Sequence, residues 1–282
     1  MEHYDILIVG GGAAGISAAK AAKGARVLLA DCRESLGGVL RQCVHRGFGQ
    51  VMDGPEYLRL LLEDLPSETE LAMETTVLSV SKKKTALLST AGKGRREISF
   101  SALILAAGSR EITAGALPIA GTRPRGIYTA GCMQELMNLH GHVPGGPALI
   151  LGSGDIGLIM AWQLAEKGIA VTVVEKEDHC GGLARNLRRL EKLPVRFIFN
   201  ATVKAFHGNA VLEAAELSNR ERIPCSTALI AAGLVPDRQL TEALGQPDWL
   251  FHCGNAQRIH PMIEGLIENS AQVGKAACDY LR

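Results

Sequence analysis

Apolar residues run through this chain in short unbroken blocks, and the blocks fall into two parallel series. The first holds Ile6-Leu7-Ile8-Val9, Val27-Leu28-Leu29-Ala30 and Ala102-Leu103-Ile104-Leu105. The second holds Ala148-Leu149-Ile150-Leu151, Val171-Thr172-Val173-Val174 and Thr227-Ala228-Leu229-Ile230. Blocks of this length bounded by glycine predict buried strands. Between the first two blocks of each series lies a stretch of small and apolar residues, ending near Lys23 and near Lys167, that predicts a helix. Each series therefore opens as strand, helix, strand, which argues for a parallel sheet with a ligand at its carboxyl edge. Weaker strand signals near 76–80, 85–90 and 96–100, and near 202–206 and 211–217, predict a small antiparallel β-meander in each. Each series closes on Ala-Ala-Gly, at Ala106-Ala107-Gly108 and Ala231-Ala232-Gly233. A repeat this long is a domain duplication. The expected fold class is α/β, with two Rossmann-like, three-layer dinucleotide-binding domains, each carrying a meander.

The turn between first strand and helix carries the chemistry. It reads Gly10-Gly11-Gly12-Ala13-Ala14-Gly15 in the first series and Gly152-Ser153-Gly154-Asp155-Ile156-Gly157 in the second. In such a motif the first glycine makes the tight turn, the second admits a pyrophosphate, and the third lets helix pack on strand. The helix N-terminus then presents free N–H groups and the positive end of its dipole to phosphate. Asp31 and Glu175 end the second strands at about the expected ~20 residues from the first glycine, where a carboxylate accepts ribose hydroxyls. Glu175 would repel a 2′-phosphate, so NAD(H) is expected over NADP(H) despite the adjacent Lys176.

Composition narrows the classes. With 47% apolar and 21% charged residues the chain can bury an ordinary globular core. A net charge of +1 gives no field for nucleic acid or an anionic membrane. No apolar run reaches the ~18 residues of a membrane span, and the N-terminus enters a strand without a basic leader, so a cytoplasmic location is expected. The seven cysteines are scattered, and no Cys-x-x-Cys or Cys-x4-Cys pair is present. That argues against dithiol chemistry.

After the second closing strand a strand near Trp249 to Cys253, the pair Gly254-Asn255 and a long helix remain. In that helix Ile263, Leu266, Ile267, Ser270, Ala271, Gly274, Ala277 and Leu281 recur at helical spacing as a core stripe. One strand and one helix cannot form a domain alone and must return to one of the two units.

The two motifs in this order, with Leu36-Gly37-Gly38, Gly54-Pro55-Glu56-Tyr57, Gly108-Ser109-Arg110-Glu111 and Cys253-Gly254-Asn255, resemble the pyridine nucleotide–flavin oxidoreductases of thioredoxin-reductase-like size. Within them the chain is similar to FAD-dependent subunits that accompany amine, opine, proline or glycerol-3-phosphate dehydrogenases. The resemblance implies FAD on the first unit and NAD(H) on the second. It implies a discontinuous FAD-binding domain at 1–116 and 245–282 around an NAD-binding domain at 117–244. It also places the Gly37-Gly38 turn under the flavin and Gly254-Asn255 at the ribityl chain. Asn255 stands where the wider family has Asp, but it too can hydrogen-bond a hydroxyl. Pro261 is expected in the first turn of the last helix, whose dipole would face the flavin.

The expected cofactor contacts are thus Gly10, Gly12, Ala13, Ala14, Gly15, Asp31, Gly37, Gly38, Ala107, Gly108, Gly254 and Asn255 for FAD. For NAD(H) they are Gly152, Gly154, Asp155, Ile156, Gly157, Glu175 and Gly233. Cys43 and His45 are weak catalytic candidates, as thiolate or imidazole near the flavin or simply as packed side chains. Cys43, His45, Cys253 and His260 lack any recognised ligand spacing, so no metal is expected. The implied activity is hydride exchange between FAD and NAD(H), with electrons passed to a second carrier or a partner dehydrogenase subunit. Two alternatives stay open: a homodimer, and a non-catalytic subunit that binds flavin or adenine nucleotide.

Overall fold

The computed structural model describes residues 1–49 and 51–282. Contacts divide the chain into two units. One comprises Met1–Arg110 with Val235–Arg282, and the other Glu111–Leu234. The division falls a little earlier along the chain than the 116/117 and 244/245 boundaries expected from sequence.

In the first unit, strand Glu2–Val9 pairs in parallel with Val27–Ala30 on one side and with Gly94–Leu105 on the other. Glu70–Ala72 adds a further parallel edge beyond Val27–Ala30. Two separate strands were expected in the region 96–105, but a single one of 12 residues forms. Its first half pairs antiparallel with Thr85–Thr90 and its second half lies in the parallel sheet, so meander and core share one seven-stranded sheet. Alternation along the strands separates two faces. Ile6, Ile8, Leu29 and Ile104 pack against Ala14, Ala18 and Ala277 of two helices. Leu7, Leu28, Leu103 and Leu105 pack against Ala86, Leu88, Phe100 and Trp249.

The tail returns to this unit. Strand Leu250–His252 pairs in parallel with the long strand, Leu250 opposite Leu103 and His252 opposite Leu105. Helix Ile263–Tyr280 then packs on helix Ala13–Ala21, and Ser270, Gly274 and Ala277 are its buried positions. The contact is close because both helices are lined by small residues. A Cβ on Gly274 would lie 2.3 Å from the Ala18 carbonyl oxygen. Pro261 lies outside this helix, whose N-cap is Met262. The chain is still extended at Met262, with φ −132° and ψ 147°, so the proline precedes the first turn.

The second unit repeats the plan with a break. Val195–Ile198, Val171–Val174, Ala148–Leu151, Thr227–Ile230 and Ile127–Thr129 form an all-parallel five-stranded sheet in that order. Its meander is a separate sheet of Arg222–Pro224, Leu212–Leu217, Val203–Gly208 and Ala120–Gly121. Sequence reading missed the strand Arg222–Pro224. It is a three-residue edge strand ending on a proline, which has no N–H for a ladder and stops the strand short of Thr227. Ile150, Val173 and Leu229 face helical Leu158, Ala161 and Leu164, while Leu149, Val174 and Ile230 face Val203, Phe206 and Leu217.

Candidate dinucleotide-binding sites

The two glycine turns have the same backbone. Gly10 has φ +109° and Gly152 φ +104°, a region that favours glycine, and a Cβ on either would lie 2.4 Å from a carbonyl oxygen, of Ala106 or Ala231. The third glycines are tighter. A Cβ on Gly15 would stand 1.8 Å from the Gly10 carbonyl oxygen, and one on Gly157 2.2 Å from that of Gly152. The middle glycines behave differently. A Cβ on Gly12 would meet nothing nearer than Gly38 Cα at 3.9 Å, and one on Gly154 would meet nothing within 4 Å. Outer glycines are therefore required by protein packing. The middle ones leave a cradle that the chain itself does not fill, as a pyrophosphate against backbone N–H groups demands.

Around the first cradle the fold gathers segments far apart in sequence. Gly37 forms a parallel bridge with Gly12, and its N–H donates to the Gly11 carbonyl at 2.8 Å. A Cβ on Gly38 would sit 3.1 Å from Gly12 Cα, and one on Gly254 2.5 Å from Ala14 Cβ. Ala13 and Ala14 are buried beneath the turn, and Gly10 meets Ala106 and the backbone of exposed Ala107 at the carboxyl end of the neighbouring strand, with Gly108 next along, where a Cβ would meet nothing within 4 Å. Asp31 Oδ2 accepts the Gly11 N–H at 2.5 Å, and its Oδ1 accepts the Arg33 N–H at 2.8 Å. Asn255 Oδ1 accepts the His260 N–H at 2.9 Å, a bond that does not use its amide nitrogen. Sequence reading missed two supports of this turn. Arg238 donates through Nε to the Ala256 carbonyl at 2.7 Å and also to the Gln257 carbonyl, and Asn269 Oδ1 accepts the Gly254 N–H at 3.0 Å. Neither has a motif signal, since each acts from a segment separate in sequence.

The second cradle opens into a cavity of about 330 Å3, lined among others by Pro118, Gly154, Glu175, Lys176, Thr202 and Lys204. Glu175 is buried. Burial raises its carboxyl pKa, but hydrogen bonds from the Ser153 hydroxyl and from the Ser153, Glu177 and Lys176 amides outweigh this and hold it below the usual range. Lys176 is exposed, its Nζ 3.3 Å from Glu177 Oε1. Asp155 would be an unwelcome charge at a phosphate-binding helix end. Its Oδ1 is turned to the start of the short helix Ala184–Arg188, accepting from the Leu183 N–H at 2.7 Å and from Asn186 Nδ2 at 2.8 Å. Its backbone and that of Ile156 form the first turn of helix Asp155–Glu166. Gly233 carries φ +118° beyond the closing strand, and its carbonyl accepts the Ile112 N–H.

Cys43 and His45 lie on the loop after Gly38–Gln42. Burial pushes the Cys43 thiol up to about 12, which disfavours a thiolate there. His45 packs against Phe48, ring centroids 5.4 Å apart. None of the seven cysteines is in a disulfide. Among the described residues no group of three or more His, Cys, Asp or Glu could hold a metal ion, and no helix is long and apolar enough to cross a membrane.

The family profile for pyridine nucleotide-disulphide oxidoreductases matches residues 4–248. The chain belongs to this family. Members use FAD and NAD(P)H, in keeping with the two cradles. An opine oxidase subunit from Rhizobium meliloti is 26% identical over 280 residues, covering 86% of this chain and 52% of its own length. Hydrogen cyanide synthase subunit HcnB of Pseudomonas protegens is 26% identical over 280 residues, covering 85% of this chain and 58% of its own. The chain thus spans about half the length of the curated relatives it matches. Thioredoxin reductase of Lactococcus lactis superposes with a TM-score of 0.78 at 18% identity, covering 99% of each chain. At that identity the likeness concerns the fold.

Proposed function

We propose that this family member is an FAD-dependent oxidoreductase that exchanges hydride with NAD(H) and hands the electrons to a second carrier or partner dehydrogenase subunit. One observation carries the reading. Each glycine turn is closed by packing at its outer positions and open at its middle glycine, with a hydrogen-bonded carboxylate at the ribose position. FAD is assigned to the first unit, held by Gly12, Ala13, Asp31, Gly38 and the Gly254-Asn255 turn, and NAD(H) to the second, held by Gly154, Ile156 and Glu175. The bound flavin supplies hydride and electron transfer. The chain's residues orient the two dinucleotides by backbone N–H groups at helix ends and by their carboxylates. They also fix the ribityl end through a turn pinned by Arg238 and Asn269.

A dithiol relay is disfavoured, because burial raises the pKa of the half-buried Cys43 thiol and no cysteine follows it before Cys132. Transfer to a partner draws support from relatives whose names mark them as subunits. Anaerobic mixing of the FAD-loaded protein with NADH tests the reading, and flavin absorbance should bleach within the mixing experiment. Flavin that stays oxidised while NADH binds would instead favour the non-catalytic reading. Iodoacetamide should alkylate Cys43 in the folded protein more than about 100-fold more slowly than an unhindered cysteine at pH 8. Equal rates would reopen a thiolate role.

A further inference from the structure

The position after the first glycine of the second turn holds a serine, and its hydroxyl is fully committed. Ser153 is completely buried. Its Oγ donates to Glu175 Oε2 at 2.7 Å, and its backbone N–H donates to the same oxygen at 2.8 Å. Oγ in turn accepts the Gly181 N–H at 3.0 Å, and the Ser153 carbonyl accepts the Gly182 N–H at 2.9 Å. The Glu177 N–H reaches the other carboxylate oxygen, Oε1, at 3.1 Å. A carboxylate oxygen offers two lone-pair sites. Ser153 thus supplies both donors on Oε2, and the Glu177 and Lys176 amides add to the bonds that fix the carboxylate.

We infer that Ser153 is a specificity-determining positioning residue: it locks the Glu175 carboxylate as a fixed negative charge in the lining of the cavity, which sets NAD(H) over NADP(H). The inference rests on the assignment of the nicotinamide dinucleotide to the second unit. A glutamate has one more rotatable bond than an aspartate, so without Ser153 its carboxylate could swing out of the cavity. The same cavity is lined by Lys176 and Lys204, which would then be free to attract a 2′-phosphate. Ser153 also ties the Gly181-Gly182 loop to the turn, so one side chain joins the glycine turn, the acid and the loop.

The charged or titratable groups around Glu175 are Lys176 and Glu177 on its own segment, His179 and Cys180 on the following loop, and Lys204 on strand Val203–Gly208. The Ser153 hydroxyl bond is one of those that lower the Glu175 pKa. Removing it raises that pKa, so the pH below which NADH binding fails should move upward.

The test is titration of the FAD-loaded wild-type protein and of Ser153→Ala with NADH and with NADPH, across pH. The expected result is a roughly tenfold fall in the ratio of NADPH to NADH dissociation constants, with the acid limb of NADH binding moved to higher pH and flavin content unchanged. Ser153→Thr, which keeps the hydroxyl, should retain the wild-type ratio if its methyl is accommodated. Should Ser153→Thr not fold, Ser153→Cys, of similar size but a poor donor, should behave like Ser153→Ala. A folded Ser153→Ala that weakens both dinucleotides equally with no shift of the acid limb overturns the inference and leaves the site assignment intact. A wild-type protein that binds neither dinucleotide overturns both.

Discussion

The two glycine turns share a backbone but differ at the residue after the first glycine, Gly11 in one and Ser153 in the other. At Gly11 a Cβ would meet Leu36 Cδ2 at 2.5 Å and Asp31 Oδ2 and Cβ at 3.1 and 3.2 Å. The second turn holds a buried hydroxymethyl at this place, hydrogen-bonded to the longer acid Glu175. Each pair is matched in size, a short acid with no side chain and a long acid with a small polar one. Duplication preserved what the backbone requires and let the acid and its neighbour vary together. The consequence is electrostatic. Asp31 is held by two backbone N–H groups, whereas Glu175 is buried and held by a side chain as well.

The largest effect that can break this comparison is at the outer glycines. Gly15→Ala forces a Cβ into the Gly10 carbonyl and should destabilise the first unit by about 3 kcal/mol, with its flavin lost. Gly157→Ala should do the same to the second unit alone. Gly12→Ala should instead leave thermal unfolding within ~0.5 kcal/mol of wild type while weakening FAD binding. Calorimetry with flavin analysis separates the two, and a Gly12→Ala protein with full FAD affinity would undo the cradle assignment.

A middle-sized effect distinguishes the acids. Glu175→Gln puts an amide among the donors that hold the carboxylate and should cost the second unit about 2 kcal/mol at neutral pH. Asp31→Asn, half-exposed and with fewer donors, should cost less. The Glu175 carboxyl is held below its ordinary value in the fold. Its stabilisation is therefore present above the unfolded pKa of about 4.3 and is lost as pH falls through the lower folded value. The gap between wild type and Glu175→Gln should close in acid, as urea unfolding at stepped pH would show.

The smallest effect sharpens the size-matching. Gly11→Ser should cost about 1 kcal/mol, because Leu36 can rotate but Asp31 must shift. Combining it with Asp31→Glu should recover part of that loss. An additive double variant would mean the pairs are not matched.

Much of the site was legible in the amino-acid sequence, and the reason is local. A tight turn that must approach its own closing strand and admit an anion tolerates only glycine at Gly10, Gly12 and Gly15, and again at Gly152, Gly154 and Gly157. The acids at the strand ends were legible by spacing. Ser153 was visible as a polar residue inside a glycine turn, but its partners were not, because the contact runs to Glu175 and to Gly181. Cys43 was ambiguous in sequence, since burial alone decides whether its thiol ionises.

Sequence by itself determined the two strand–turn–helix units, their acids and the small-residue stripe of the last helix, because each is set by contacts within a turn or a period of the chain. Only the tertiary structure decided where the Arg238 guanidinium lands, that Asn255 turns its oxygen to His260, and that Asp155 points to the start of helix Ala184–Arg188 and not to the cradle. It also decided that one meander fuses with its core sheet while the other separates at Pro224. These depend on which buried donors and acceptors lie without partners once the sheets have packed, and a one-dimensional pattern carries no record of that pairing.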